Sequence, residues 1–286
     1  MTPSPDLRDR LRHVGTLPDE DLDVGEAALL AAAASRPGLS LEPYLRHLDG
    51  LAAEVAAHAH RRAGEAGLGL RAEALRQILG RRYGYLGDED APDDPYAWDL
   101  PGVIDRRRGL PAALGILYLS VAWRLGWSLQ GLDFPVRLLV RLEYGGRRVI
   151  LDPADGGRER TVQDLRDFYK AAAGNEAELR PQDWRPLASR EVLLRLQNRL
   201  RADLIRAGRF REALAAVEAM QRIVPDATPL WREAGYLHAR LDNLPAAVAA
   251  LDDYLARCGQ DAGRDQAATL LRDLRLKLIG REGTKP

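Results

Sequence analysis

The chain has 286 residues, 46% apolar and 29% charged, with 42 basic side chains balanced by 42 acidic ones. That composition excludes a disordered or collagen-like polypeptide and gives length for about two domains. Zero net charge removes the broad basic field that phosphate contacts to nucleic acid depend on. The longest uncharged run, Gly109 to Trp123, is shorter than the ~18 apolar residues of a membrane-spanning helix. The start, MTPSPDLRDR, has no apolar secretion segment, and the single Cys258 provides neither a disulfide framework nor a thiolate metal cluster. A reducing, cytoplasmic location is the expectation.

Up to about residue 86, apolar positions recur at helical spacing. Leu41, Tyr44, Leu45, Leu48, Leu51 and Val55 form one stripe with Ser40 as its N-cap, and a shorter helix holding Leu70, Leu75, Ile78 and Leu79 ends near Gly84. From Gly87 to Pro95, five carboxylates and two prolines predict an exposed loop. Beyond Arg106-Arg107-Arg108-Gly109-Leu110-Pro111, the run Ala112 to Leu125 is almost wholly apolar, and Pro111 suits the first turn of a buried central helix. Three strand-like segments follow: Ser128 to Phe134, Arg137 to Glu143 and Arg147 to Leu151, the last two flanking the hairpin signal Tyr144-Gly145-Gly146. Asp152-Pro153 closes the third strand, and Thr161 with Asp164 forms a capping box for the next helix.

From about Arg190 the chain is helical with an internal period. Gly208, Phe210, Ala213, Val217 and Pro225 are matched 34 residues later by Asp242, Leu244, Ala247, Leu251 and Gly259, which is the tetratricopeptide spacing. Trp231, Ala234 and Gly235 add to the second unit, and Ala267 to Ile279 reads as a capping helix. The fold class is therefore α+β: a helical amino-terminal region and a core of central helix plus small antiparallel sheet within residues 1–187, then an all-α repeat region over 188–286.

A buried helix followed by three antiparallel strands resembles the core of transglutaminase-like and papain-like enzymes. In that plan a Cys at the helix amino terminus is activated by the helix dipole, a His on the second strand takes its proton, and an Asp on the third orients the His. Here those positions read Pro111, Arg137 and Asp152, and a guanidinium is no base near neutrality. Asp105 to Pro111, Phe134-Pro135, Leu138 to Arg141 and Leu151 to Gly157 together resemble the bacterial SirB-type family, which joins a transglutaminase-like domain to tetratricopeptide repeats. Many of its members carry a His where this chain has Arg137.

The candidate vestigial or ligand-binding site is thus Arg108, Gly109, Pro111, Arg137 and Asp152, with no catalytic residue assigned. Arg106 to Arg108 either hold an anion at the helix start or pair with the acidic loop Asp88 to Asp94. Arg137 either closes on Asp152 as a structural lock or points outward with Arg141, leaving Asp152 to cap its turn. Ser120 lies about 13 Å along the central helix from its start, too far to replace the missing Cys. Cys258 has no adjacent His. His58 and His60 lack metal-binding i, i+4 spacing, and Trp98, Trp123 and Trp127 read as core or domain-contact aromatics. Two functions stand against each other: a non-catalytic adaptor or regulator acting through a protein partner, or a hydrolase or acyltransferase on peptides or amides with another nucleophile. No cofactor, metal, nucleic acid or membrane is expected.

Overall fold

The computed structural model describes residues 4–60, 67–88, 95–135, 137–260 and 262–282. The amino-terminal helices are α1 (Pro5–Thr16), α2 (Val24–Ser35), α3 (Glu42–His60) and α4 (Leu68–Leu75). In α3 the apolar stripe is buried through Leu48, Leu51 and Val55. Its cap position is Leu41 and not the expected Ser40, since Leu41 carbonyl accepts from the amides of Tyr44 and Leu45. Past α4 the helix widens into a π-helical stretch, Arg76–Arg82, and the left-handed Gly84 (φ +72°) stops it. The wide turn seats Gly80 against Gly156, where a Cβ would stand 2.0 Å from a carbonyl oxygen.

Next come β1 (Leu86–Gly87), α5 (Leu100–Arg106), β2 (Arg108–Gly109) and α6 (Pro111–Arg124). Strands β1 and β2 form a two-residue parallel pair. The expected acidic loop has Glu89 to Asp94 outside the described residues. Helix α6 is the anticipated central helix: Ala113 to Ala122 are all buried, so no polar face remains.

The main sheet contains β3 (Ser128–Leu132), β4 (Leu139–Tyr144), β5 (Arg147–Asp152), β6 (Arg158–Arg160) and β7 (Pro186–Leu187), with α7 (Val162–Ala173) between the last two. Its order is β6-β5-β4-β3-β7, antiparallel throughout. The β4–β5 hairpin turns on Gly145 and Gly146 at φ +58° and +73°, a two-residue turn that matches strand twist. Leu132, Phe134, Leu139 and Ile150 pack with Leu165 of α7, while Gly115 of α6 leaves room for Leu138. The capping box at Thr161 and Asp164 starts α7. Two findings differ from the sequence reading: β4 begins at Leu139, so Arg137 precedes the strand, and β6 and β7 add strands where three were expected.

The carboxy-terminal helices are α8 (Ser189–Arg206), α9 (Phe210–Ile223), α10 (Pro229–Arg240), α11 (Leu244–Arg257) and α12 (Arg264–Glu282). Gly208 and Asp242, 34 positions apart, both adopt positive φ (+72° and +61°) in the turns before α9 and α11. Ala213 and Ala247 are fully buried at equivalent places, and Gly235 lets α10 approach Leu251 of α11.

By contact density the chain forms two units. One comprises Leu17–Ala32 and Leu39–Leu196 and holds the sheet; the other comprises the segment ending at Thr16, Ala33–Gly38 and the chain from Gln197 onward. Within the latter, α1 lies on α9, and Gly15 sits against the Arg222 carbonyl where a Cβ would clash at 2.0 Å.

Candidate functional site at the start of the central helix

Asp99 caps α5 by accepting from Gly102 N at 2.8 Å, and Arg107 ends it in the left-handed conformation. The three successive arginines then take three directions. Arg106 pairs with the Asp88 carboxylate and lies over the Trp98 ring. Arg107 donates to the Tyr85 hydroxyl (2.5 Å) and to His47 Nε2 (3.2 Å). Arg108 is exposed and donates to the Gly84 carbonyl at 3.0 Å. Pairing with the acidic loop therefore holds for Arg106 alone among described partners. Gly109 is buried so close to Val103 that a Cβ there would stand 2.3 Å from its methyl, and Pro111 occupies the first turn of α6 with no side-chain cap before it.

At the sheet end, the Asp152 carboxylate is completely buried. Its Oδ1 accepts from Ala154 N at 3.1 Å. Its Oδ2 accepts from Arg137 Nη1 at 3.1 Å and from Arg160 Nε and Nη2 at 3.2 and 2.9 Å. Arg160 also bonds Asp155 at 2.6 Å, and both guanidiniums lie 4.9 Å from the Phe168 ring centroid. Of the two alternatives, Arg137 thus closes on Asp152 and does not point outward with Arg141. Beside them the Tyr118 hydroxyl of α6 is buried with no hydrogen-bond partner among the described residues; burial raises its ionisation far above the usual phenol range, and the Asp152 charge adds to this.

The structure thus joins Arg137 to Asp152 and keeps Arg108 on other partners. Arg160 and Phe168 were missed. The only signal for Arg160 was the Gly156-Gly157 turn after Asp152-Pro153, which allows a further short strand. Chemically, Asp152 faces two permanent cations, Arg137 cannot accept a proton, and Pro111 offers no nucleophile. Ser120 is also committed: its hydroxyl donates to Asp23 Oδ1 at 2.7 Å, and Arg124 bonds both. Cys258 is buried, with Arg264 Nη1 3.2 Å from its sulfur. Trp98 is core, whereas Trp123 is 46% exposed and so is not a core aromatic. Among the described residues no group of three His, Cys, Asp or Glu could hold a metal, and no helix is long and apolar enough to cross a membrane.

Residues 42–198 match the sequence profile of the transglutaminase-like superfamily, more than half the chain. The chain belongs to this superfamily. Residues 200–272 match the tetratricopeptide repeat, so this transglutaminase-like protein carries the repeat region that its 34-residue period implies. It is 34% identical over 199 residues to a UPF0162 protein of Pseudomonas aeruginosa, covering 70% of each chain. A UPF0162 protein of Xylella fastidiosa is 29% identical over 250 residues, covering 85% of this chain and 86% of the relative. Protein SirB1 of Salmonella typhimurium is 26% identical over 196 residues, covering 66% and 71%, in agreement with the SirB-type resemblance. A crystal structure of menin overlaps 87% of this chain and 68% of its own at 11% identity, with a TM-score of only 0.38.

Proposed function

We propose that this protein is a non-catalytic adaptor or regulator in which residues 1–187 hold a degenerate transglutaminase-like site and residues 188–286 recognise a protein partner. The observation that carries the first half is the buried Asp152 carboxylate under the Arg137 and Arg160 guanidiniums. In a working triad that carboxylate would orient an imidazole; here two cations occupy its lone pairs. The second half rests on a hollow of about 590 Å³ along α8, α10 and the start of α12. Exposed Ile205 with Tyr236 and Phe210 gives it an apolar floor, and Arg201, Arg232 and Arg240 give it cationic walls. Three guanidiniums and one carboxylate, Glu233, which pairs with Arg201, line the hollow, so an acidic peptide segment is the class of partner that fits.

A double-mutant cycle tests the lock. Asp152→Ala should cost about 3 to 5 kcal/mol, because it removes the buried carboxylate shared by two guanidiniums and leaves Arg160 with Asp155, and Arg137→Ala only about 1, because Arg160 remains. The double variant should lose less than the sum by about 0.5 kcal/mol or more. Strict additivity would overturn the lock. So would amide formation by the parent protein, given a glutamine peptide and a primary amine, that Asp152→Ala abolishes.

A further inference from the structure

The main sheet stops short at its β7 edge. Strand β7 pairs only with Gly131 and Leu132, and just beyond, the Asp133 amide donates to the Arg185 carbonyl at 2.7 Å. Alternate residues of a strand send their main-chain polar groups to the same side, so Gly131 and Leu129 turn the way Asp133 does. The hairpin agrees: Tyr144 and Arg147 face each other across the two-residue turn, which turns Glu143 and Arg141 toward Ser128 and Gln130. Extending the ladder would bring Ser189 opposite Leu129. Instead the Ser189 amide donates to Asp19 Oδ2 at 2.6 Å and the chain leaves into α8. The Leu129 N–H and C=O consequently face a cleft of about 450 Å³ and no strand among the described residues.

Leu22, Leu119, Trp123 and Trp127 line that cleft, and Trp123 is exposed. The rim is acidic. Asp19 is answered by Arg190, but Glu20 is exposed and lines the cleft, held there by the Trp123 indole N–H donating to the Glu20 carbonyl at 3.3 Å. The site lies about 18 Å along α6 from Pro111, at 1.5 Å per residue, and is unrelated to the triad positions.

We propose that this cleft docks an extended peptide that pairs its main chain with Leu129, buries one apolar side chain among the tryptophans and sets a Lys or Arg against Glu20. Edge pairing of this kind draws affinity from main-chain hydrogen bonds and specificity from the pocket under alternate side chains. Random linear heptapeptides displayed on phage are panned on the full-length protein, with Trp123→Ala as the counter-selection. Enriched sequences should carry an apolar residue beside a basic one. A synthetic copy should lose about tenfold in affinity on Leu129→Pro, which deletes one outward N–H that the ladder to β4 does not use, and on Trp123→Ala. N-methylation of the peptide's central amide should cost the same, a readout that stands if the proline variant does not fold. No enrichment over Trp123→Ala, or affinity indifferent to the proline and to N-methylation, overturns the proposal. So does dimerisation of the protein through this edge that excludes the peptide.

Discussion

Asp152 illustrates what one residue can and cannot say from sequence. Its place before Pro153 was legible, and so was its pairing with Arg137 as one of two alternatives. Arg160 was not, because it reaches Asp152 across a three-residue strand that no run of β-formers announces. Arg160 is also the stronger partner, with two bonds and 9% side-chain exposure against 30% for Arg137. Arg160→Ala should therefore destabilise by about 3 kcal/mol or more, and Arg137→Ala by clearly less, in urea unfolding. Equal losses would contradict this ranking. His47 makes a second prediction. Its Nε2 faces the Tyr85 hydroxyl at 2.7 Å and the donor-only Arg107, so the ring must be neutral with its proton on Nδ1. Burial, and then the Arg107 charge, hold its pKa below 6.5. Between that lowered value and 6.5 the unfolded chain binds more protons, so stability falls as pH drops through this window. His238 contributes in the same sense, its pKa lowered by burial against the opposing Glu218 charge. His47→Gln should make the fall in melting temperature below pH 6.5 shallower, and an unchanged slope would contradict the neutral ring.

Elements were legible where one periodicity ran long enough. The uncharged run after Pro111 gave α6, and the double glycine gave the β4–β5 hairpin. The π-helical turn at Arg76–Arg82 was hidden because it keeps an apolar pattern close to that of an α-helix; what requires it is distant, the approach of Gly80 to Gly156. Gly80→Ala would place a methyl 2.0 Å from the Gly156 carbonyl oxygen, and should cost about 1 to 3 kcal/mol in chemical denaturation; a neutral effect would show that the contact is not close. In the repeats, Ala213→Leu and Ala247→Leu should each overpack a fully buried position by about 1 to 3 kcal/mol. Melting temperatures unchanged in both would contradict the 34-residue register.

On the scale of the whole molecule, the sequence pointed to a transglutaminase-like region followed by repeats, and the chain's family and repeat matches agree. It did not reveal that the first helix groups with the repeats: Gly15 meets the backbone at Arg222, a contact between residues some two hundred positions apart that no local pattern encodes. If function lies in recognition and not in acyl transfer, it should survive loss of the lone thiol, and Cys258→Ala should behave as the parent in any cellular assay. The decisive measurement is affinity capture from native cell extract with quantitative mass spectrometry, using three folded forms of the full chain: the parent, Arg137→Ala, and the groove variant Tyr236→Ala with Arg240→Glu. The account predicts that proteins enriched by the parent are retained by Arg137→Ala and lost by the groove variant. Capture that persists in the groove variant but fails in Arg137→Ala would place function at the triad positions and contradict it.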